Sequence, residues 1–155
     1  MRDELAKYDI PLVTNQVEFS VLRRYPETSG LIETCRENDI VLQSYSSLAQ
    51  GRLTGKYTAQ HEPPPSYRFS SYPMKDLQPT IEVLEAIGKE RGVSTAAVAL
   101  NYNLSKGVVP VVGFRNPAQV EQDGECFGWR LSVEEVKRLD GVSLEGKRTV
   151  LWQQN

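Results

Sequence analysis

An arginine set between the end of an apolar run and the start of a helix is well placed to hold an anion. Residues 108–113 (VVPVVG) form such a run, a helix is expected over 116–127, and Gly113, Phe114 and Arg115 join the two. The first turn of a helix presents N–H groups without intrahelical partners and the positive end of the helix dipole. Arg115 adds a permanent charge whose planar fork can grip a phosphate through two hydrogen bonds. The plain alternative is a surface arginine beside solvated polar residues on an outer helix. Acid–base chemistry has fewer carriers: Tyr45 and Glu18 near strand ends, and Tyr57 and His61 in loops. His61 is the only histidine and sits in a proline-rich stretch. No metal site is expected.

These residues need a scaffold, and the sequence alternates in the manner of an α/β fold. Residues 10–19 (IPLVTNQVEF), 40–45 (IVLQSY) and 108–113 read as strands, the last as one buried on both faces. Helices are expected over 29–38, with Ser29 available as N-cap, and over 76–91, with Asp76 as N-cap. In the second of these Leu77, Ile81, Leu84, Ile87 and Gly88 form one stripe at helical spacing. Further helices are expected over 94–104, opened by Ser94, over 116–127, and over 132–139, where Ser132 precedes Glu135 in a capping-box pattern. Residues 46–57 (SSLAQGRLTGKY) read as a loop or a short broken helix, and 61–73 as an exposed irregular segment.

Bulk properties narrow the function classes. The chain has 155 residues and a net charge of −2, and its Lys and Arg are scattered. A nucleic-acid surface needs a basic stripe to neutralise phosphates, so that class is set aside. No apolar run approaches the roughly 20 residues needed to span a bilayer. The opening residues MRDELAKYDI lack the apolar region of a signal peptide, so a cytoplasmic location is expected. Cys35 and Cys126 then read as reduced thiols.

A strand–helix–strand–helices–strand–helix order implies a parallel sheet with right-handed crossovers. Three strands make a poor self-contained domain, because helices cover only the outer face and both edges stay open. A closed (β/α) barrel requires eight strands. The expectation is one partial domain over 1–155, whose sheet belongs to a larger closed object or is covered by another copy of the chain.

Three segments resemble one family. Residues 13–20 (VTNQVEFS), 44–57 (SYSSLAQGRLTGKY) and 110–129 (PVVGFRNPAQVEQDGECFGW) are similar, in order and spacing, to the last three strand–loop segments of the aldo-keto reductases. The resemblance implies roughly the last three strand–helix units of a TIM barrel, with NADP as cofactor. It would place Arg115 on the 2′-phosphate, Gln119, Gln122 and Asp123 towards the adenine, and Tyr45 against the nicotinamide face. Gln16 would meet the carboxamide, while Ser46, Leu48, Gln50 and Gly51 would fold over the pyrophosphate, with Gly55 and Lys56 as the tail of that loop. Gly113 and Phe114 would complete the cofactor wall. Two positions depart from the family pattern: Ser47 stands for a proline and Asp123 for an asparagine.

The family's catalytic Asp, Tyr, Lys and His lie on strands that have no counterpart here. Three readings therefore stay open. One is an NADPH-dependent reductase of aldehydes or ketones, working with a complementary N-terminal half or as a homo-oligomer. The second is a non-redox isomerase, dehydratase or cyclase acting on a small carbonyl metabolite. The third is a non-catalytic assembly or regulatory fragment. In the tail (KRTVLWQQN), Trp152 is expected to anchor the chain end by packing.

Overall fold

Strand alternation divides the sheet into one face that can be buried and one that cannot. The computed structural model describes residues 2–64 and 72–144. Strands β1 (Thr14–Glu18), β2 (Val41–Tyr45) and β3 (Val109–Pro110) are parallel and ordered β1-β2-β3. Gln16 lies opposite Gln43, Glu18 opposite Tyr45, and Gln43 opposite Val109. Successive side chains point to opposite faces. Leu42, Ser44 and Val108 are buried on the helix side with Val17 beside them. Thr14, Gln16, Glu18, Val41, Gln43, Tyr45 and Val109 share the other face. There Val41 is 49% exposed and Val109 45%.

That open face corrects two strand expectations. The first strand is Thr14–Glu18 rather than 10–19, and Ile10 and Val13 before it are exposed. Pro11 can donate nothing to a ladder, so the leading residues do not pair as strand. The run 108–113 is not buried on both faces. Its ladder holds two residues, with one further bond from Val111 N–H to the Ser44 carbonyl (2.8 Å). Every second side chain there points to the uncovered side.

The helices form where side-chain spacing and caps agree. They are α1 (Arg2–Ala6), α2 (Tyr25–Thr28), α3 (Leu31–Glu37), α4 (Met74–Arg91), α5 (Thr95–Ser105), α6 (Pro117–Gly124) and α7 (Val133–Gly141). α1 and α2 are too short to show a periodic stripe, and the sequence pattern does not reveal them. The stripe Leu77, Ile81, Leu84, Ile87 and Gly88 is buried along α4. The Ser94 hydroxyl accepts the Ala97 N–H, and Ser132 forms a full capping box with Glu135. Two expected caps are not used. Gly30, at φ 80°, starts α3, while Ser29 closes α2. Pro73 precedes α4, which leaves Asp76 inside the first turn, where a carboxylate still complements the dipole.

The expected exposed segment 61–73 is only partly so. Tyr72 is buried, its hydroxyl reaches the Leu22 carbonyl (3.4 Å), and its own carbonyl accepts from Arg52 Nε (3.3 Å). Residues 65–71 and the tail with Trp152 lie outside the described residues. Cys35 and Cys126 are both free and buried. No helix is long and apolar enough to cross a membrane among the described residues.

Polar fasteners lock the helical layer. Asn101, fully buried on α5, donates to the Cys126 and Trp129 carbonyls (both 2.9 Å) and accepts the Leu131 N–H (2.9 Å). It thereby satisfies the backbone of the α6–α7 connection. Arg24, Glu27, Lys106 and Asp140 form a second cluster, joined by the Tyr102 hydroxyl (2.7 Å to Asp140). The third links α4 to α7: Arg91 grips Glu135 bidentately at 2.7 and 2.6 Å, and Glu135 also accepts the Ser132 N–H at 2.6 Å. The Arg91 bond, aided by Ser132, holds the Glu135 carboxyl down at about 2.

Two predictions follow from this packing. Because the folded-state carboxyl is depressed, Glu135 stabilises the chain above the ordinary carboxylate range, and that contribution disappears as pH falls towards about 2. Glu135→Gln should therefore cost about 2 kcal/mol at pH 7 in urea unfolding, with the difference shrinking below about pH 4.5. At Gly88, an added Cβ would lie 2.8 Å from the Val93 carbonyl oxygen. Helix propensity alone favours Ala over Gly by about 1 kcal/mol. Gly88→Ala should nonetheless lower the thermal midpoint, and a higher midpoint would contradict the packing described.

Candidate functional site

Both walls of the candidate site begin where a strand ends. After Tyr45 the chain turns through a run of left-handed residues: Ser46 (φ 57°), Ala49 (48°), Gln50 (55°) and Gly51 (88°). Non-glycine residues seldom adopt this region, and such strain collects at functional loops. The start of the loop is fixed from beneath. The buried Ser47 hydroxyl donates to the Ser44 carbonyl (3.0 Å) and sits 3.0 Å from the Ser44 hydroxyl. A hydrogen bond thus does here what a fixed proline φ would do. Ala49–Thr54 then form tight 3-10 turns, and the ring of Tyr57 packs 3.4 Å from where a Gly51 Cβ would stand.

The second wall runs from the end of β3 along α6. Asn116 caps the helix by accepting the Gln119 N–H (3.0 Å), and the Gln119 side chain turns back to the Arg115 N–H (2.7 Å). This narrows the expectation for the helix N-terminus. Pro117 has no N–H and the Gln119 and Arg115 groups are occupied, which leaves those of Asn116 and Ala118. An anion here is served by side-chain charge and by these two groups, and by the Arg115 N–H only if Gln119 moves.

Between the walls lies a cavity of about 930 Å³. It brings together Ser46, Leu48, Gln50, Gly51, Gly55, Lys56 and Tyr57 from one side and Gly113, Arg115, Gln119, Gln122 and Asp123 from the other. Phe114 is 47% exposed and is not part of the lining. Gln16 and Tyr45 lie on the open sheet face outside the cavity lining, and the Gln16 amide donates to Gln43 Oε1 (3.2 Å). Glu18 sits beside Tyr45 in the strand register. His61 stacks on Tyr57 with centroids 5.9 Å apart, behind the lining. The four acid–base candidates thus divide between the sheet face and the loop.

Sequence reasoning misses Arg52. It is only 4% exposed and lines the cavity, yet in the sequence it is a single charge in a glycine-flanked loop. Burial pulls its guanidinium pKa down, although an arginine stays charged throughout the physiological range. Among the described residues the lining therefore carries three cations, Arg52, Lys56 and Arg115, against one carboxylate. That carboxylate, Asp123, is only 7% exposed, and burial pushes its pKa up. No group of three His, Cys, Asp or Glu side chains converges among the described residues.

Comparison with known proteins identifies the family of the chain. Residues 2–144 match the aldo/keto reductase family. The chain is 33% identical over 153 residues to a chloroplastic pyridoxal reductase of Arabidopsis thaliana, a match covering 97% of this chain and 42% of that protein. It is 30% identical over 131 residues to an NADPH-dependent alpha-keto amide reductase of Saccharomyces cerevisiae, covering 84% of this chain and 36% of that one. Its fold superposes on a glycerol dehydrogenase of Gluconobacter oxydans with a TM-score of 0.79 at 23% identity, covering 98% of this chain and 49% of the other. The chain thus spans less than half the length of these proteins. With its family match over nearly the whole length, the chain belongs to the aldo/keto reductase family.

Proposed function

We propose that this chain is the cofactor-holding part of an NADPH-dependent carbonyl reductase, its active site completed by a surface laid over the open sheet face. The observation that carries the reading is the cavity of about 930 Å³ with Arg52, Lys56 and Arg115 in its lining. Its size and charge suit a dinucleotide phosphate. Arg115 would hold the 2′-phosphate, with the 46–57 loop over the pyrophosphate and Gln119 and Gln122 towards the adenine. Tyr45 and Gln16, on the sheet beyond the cavity, suit the nicotinamide end. When bound, the cofactor supplies a hydride.

Reducing a carbonyl also needs a group that protonates the developing alkoxide. Tyr45 and Glu18 share the open face, while Tyr57 and His61 belong to the loop, where Lys56 Nζ lies over the Tyr57 ring, 5.2 Å from its centroid, rather than on its hydroxyl. The acid therefore comes from the covering surface, either a second copy of the chain or a complementary half corresponding to the segment by which the longer relatives exceed it. The exposed Val41, Val109 and Val111 favour such a cover, because a parallel sheet is stable with both faces shielded. Free, buried Cys35 and Cys126 suit a reducing compartment such as the cytoplasm.

NADPH fluorescence titration of the chain tests this reading. Saturable binding is expected, and Arg115→Ala should weaken NADPH by about tenfold or more while leaving NADH within about threefold. Carbonyl reduction by the chain alone should stay near background. Failure to bind NADPH, or equal losses for both cofactors, would sink the proposal.

A further inference from the structure

One group in the cavity works against an anion. Asp123 is the sole carboxylate of the lining, more than nine-tenths buried, and no hydrogen bond or ion pair reaches its side chain among the described residues. Its carboxylate oxygens keep contact with the cavity, while burial of the rest of the side chain shifts the balance towards the protonated form. The helix fixes where it sits. Asp123 lies six residues beyond Pro117, about 9 Å along the axis of α6, and lines the same cavity as Arg115.

We infer that Asp123 limits the negative charge the cavity accepts, so that binding a phosphate-bearing ligand is coupled to protonation of this carboxyl. The inference rests on the dinucleotide reading for the natural ligand, but its electrostatics need only a polyanion. Two like charges about 10 Å apart in a partly shielded cavity repel enough to move a pKa by roughly one unit, hence affinity by about tenfold. Burial has already raised the Asp123 pKa, which brings its titration closer to neutral pH. The sign is fixed: an anion raises the pKa further, the ligand binds with proton uptake, and affinity falls as pH rises.

The other titratable groups around Asp123 are few. The loop contributes Arg52, Lys56 and Tyr57, the start of α6 contributes Arg115, and the next turn contributes Cys126, a thiol kept protonated by burial and by Asp123 itself. The first two turns of α5 (TAAVALN), packed against α6, bring no titratable side chain. His61 stacks on Tyr57 and is not part of the cavity lining. It remains in every variant, as do the ligand's own phosphates, so both cancel in a comparison between variants.

The test measures the dissociation constants of NADPH and of inorganic pyrophosphate at a series of pH values from about 4.5 to 8 for the full chain, Asp123→Asn and Asp123→Ser. The readout is the change with pH, because either substitution can also alter affinity through hydrogen bonding. NADPH binding to the original chain should weaken more over that range than binding to either variant, by up to about tenfold. Parallel pH profiles in all three proteins overturn the inference. If NADPH binds to none of them, the dinucleotide reading fails, and pyrophosphate then decides: the same excess weakening upholds the role of Asp123, and its absence, or no pyrophosphate binding, removes it.

Discussion

A parallel sheet has no solvent-tolerant side, and this one is covered on one side only. The helical layer is complete in itself: α4 and α5 bury their stripes, Asn101 satisfies the α6–α7 connection, and Glu135 ties α7 to α4. The opposite face leaves Val41, Val109 and Val111 nearly half exposed beside Gln16, Gln43 and Tyr45. In a closed barrel such a face points inward, towards side chains from the remaining strands. The chain spans 42% of the pyridoxal reductase it matches and 49% of the glycerol dehydrogenase it superposes on.

The same geometry locates the cavity. Loops that leave the C-terminal ends of neighbouring parallel strands diverge and open a crevice between them. Here the loop after β2 and the start of α6 after β3 form its walls. The cavity depends only on the helical layer and two strand ends. The sheet face, where Tyr45 and Glu18 lie, is the uncovered side. The cations Arg52, Lys56 and Arg115 line the cavity instead.

Much of this was legible from residue spacing, and the failures have physical causes. The α4 stripe and the caps Ser94 and Ser132 could be read because they are set by neighbours a few residues away. Ser29 and Asp76 misled because a glycine and a proline just beside them fixed the helix starts by backbone geometry. The strand over 108–113 looked buried because an apolar run records what a longer protein would cover. Arg52 could not be found, since its burial under Tyr72 comes from a contact twenty residues away. The loop and the α6 wall were located by resemblance, whereas the uncommitted carboxylate of Asp123 became apparent only once its surroundings were known.

The central claim is that this cavity holds the dinucleotide. Backbone amide NMR spectra of the chain, recorded with and without NADPH, test it most directly. The account predicts saturable shifts concentrated in residues 46–57 and 113–123, with the Glu135–Arg91 junction unmoved. No saturable shifts, or shifts centred on α1, α3 or α7, would contradict it.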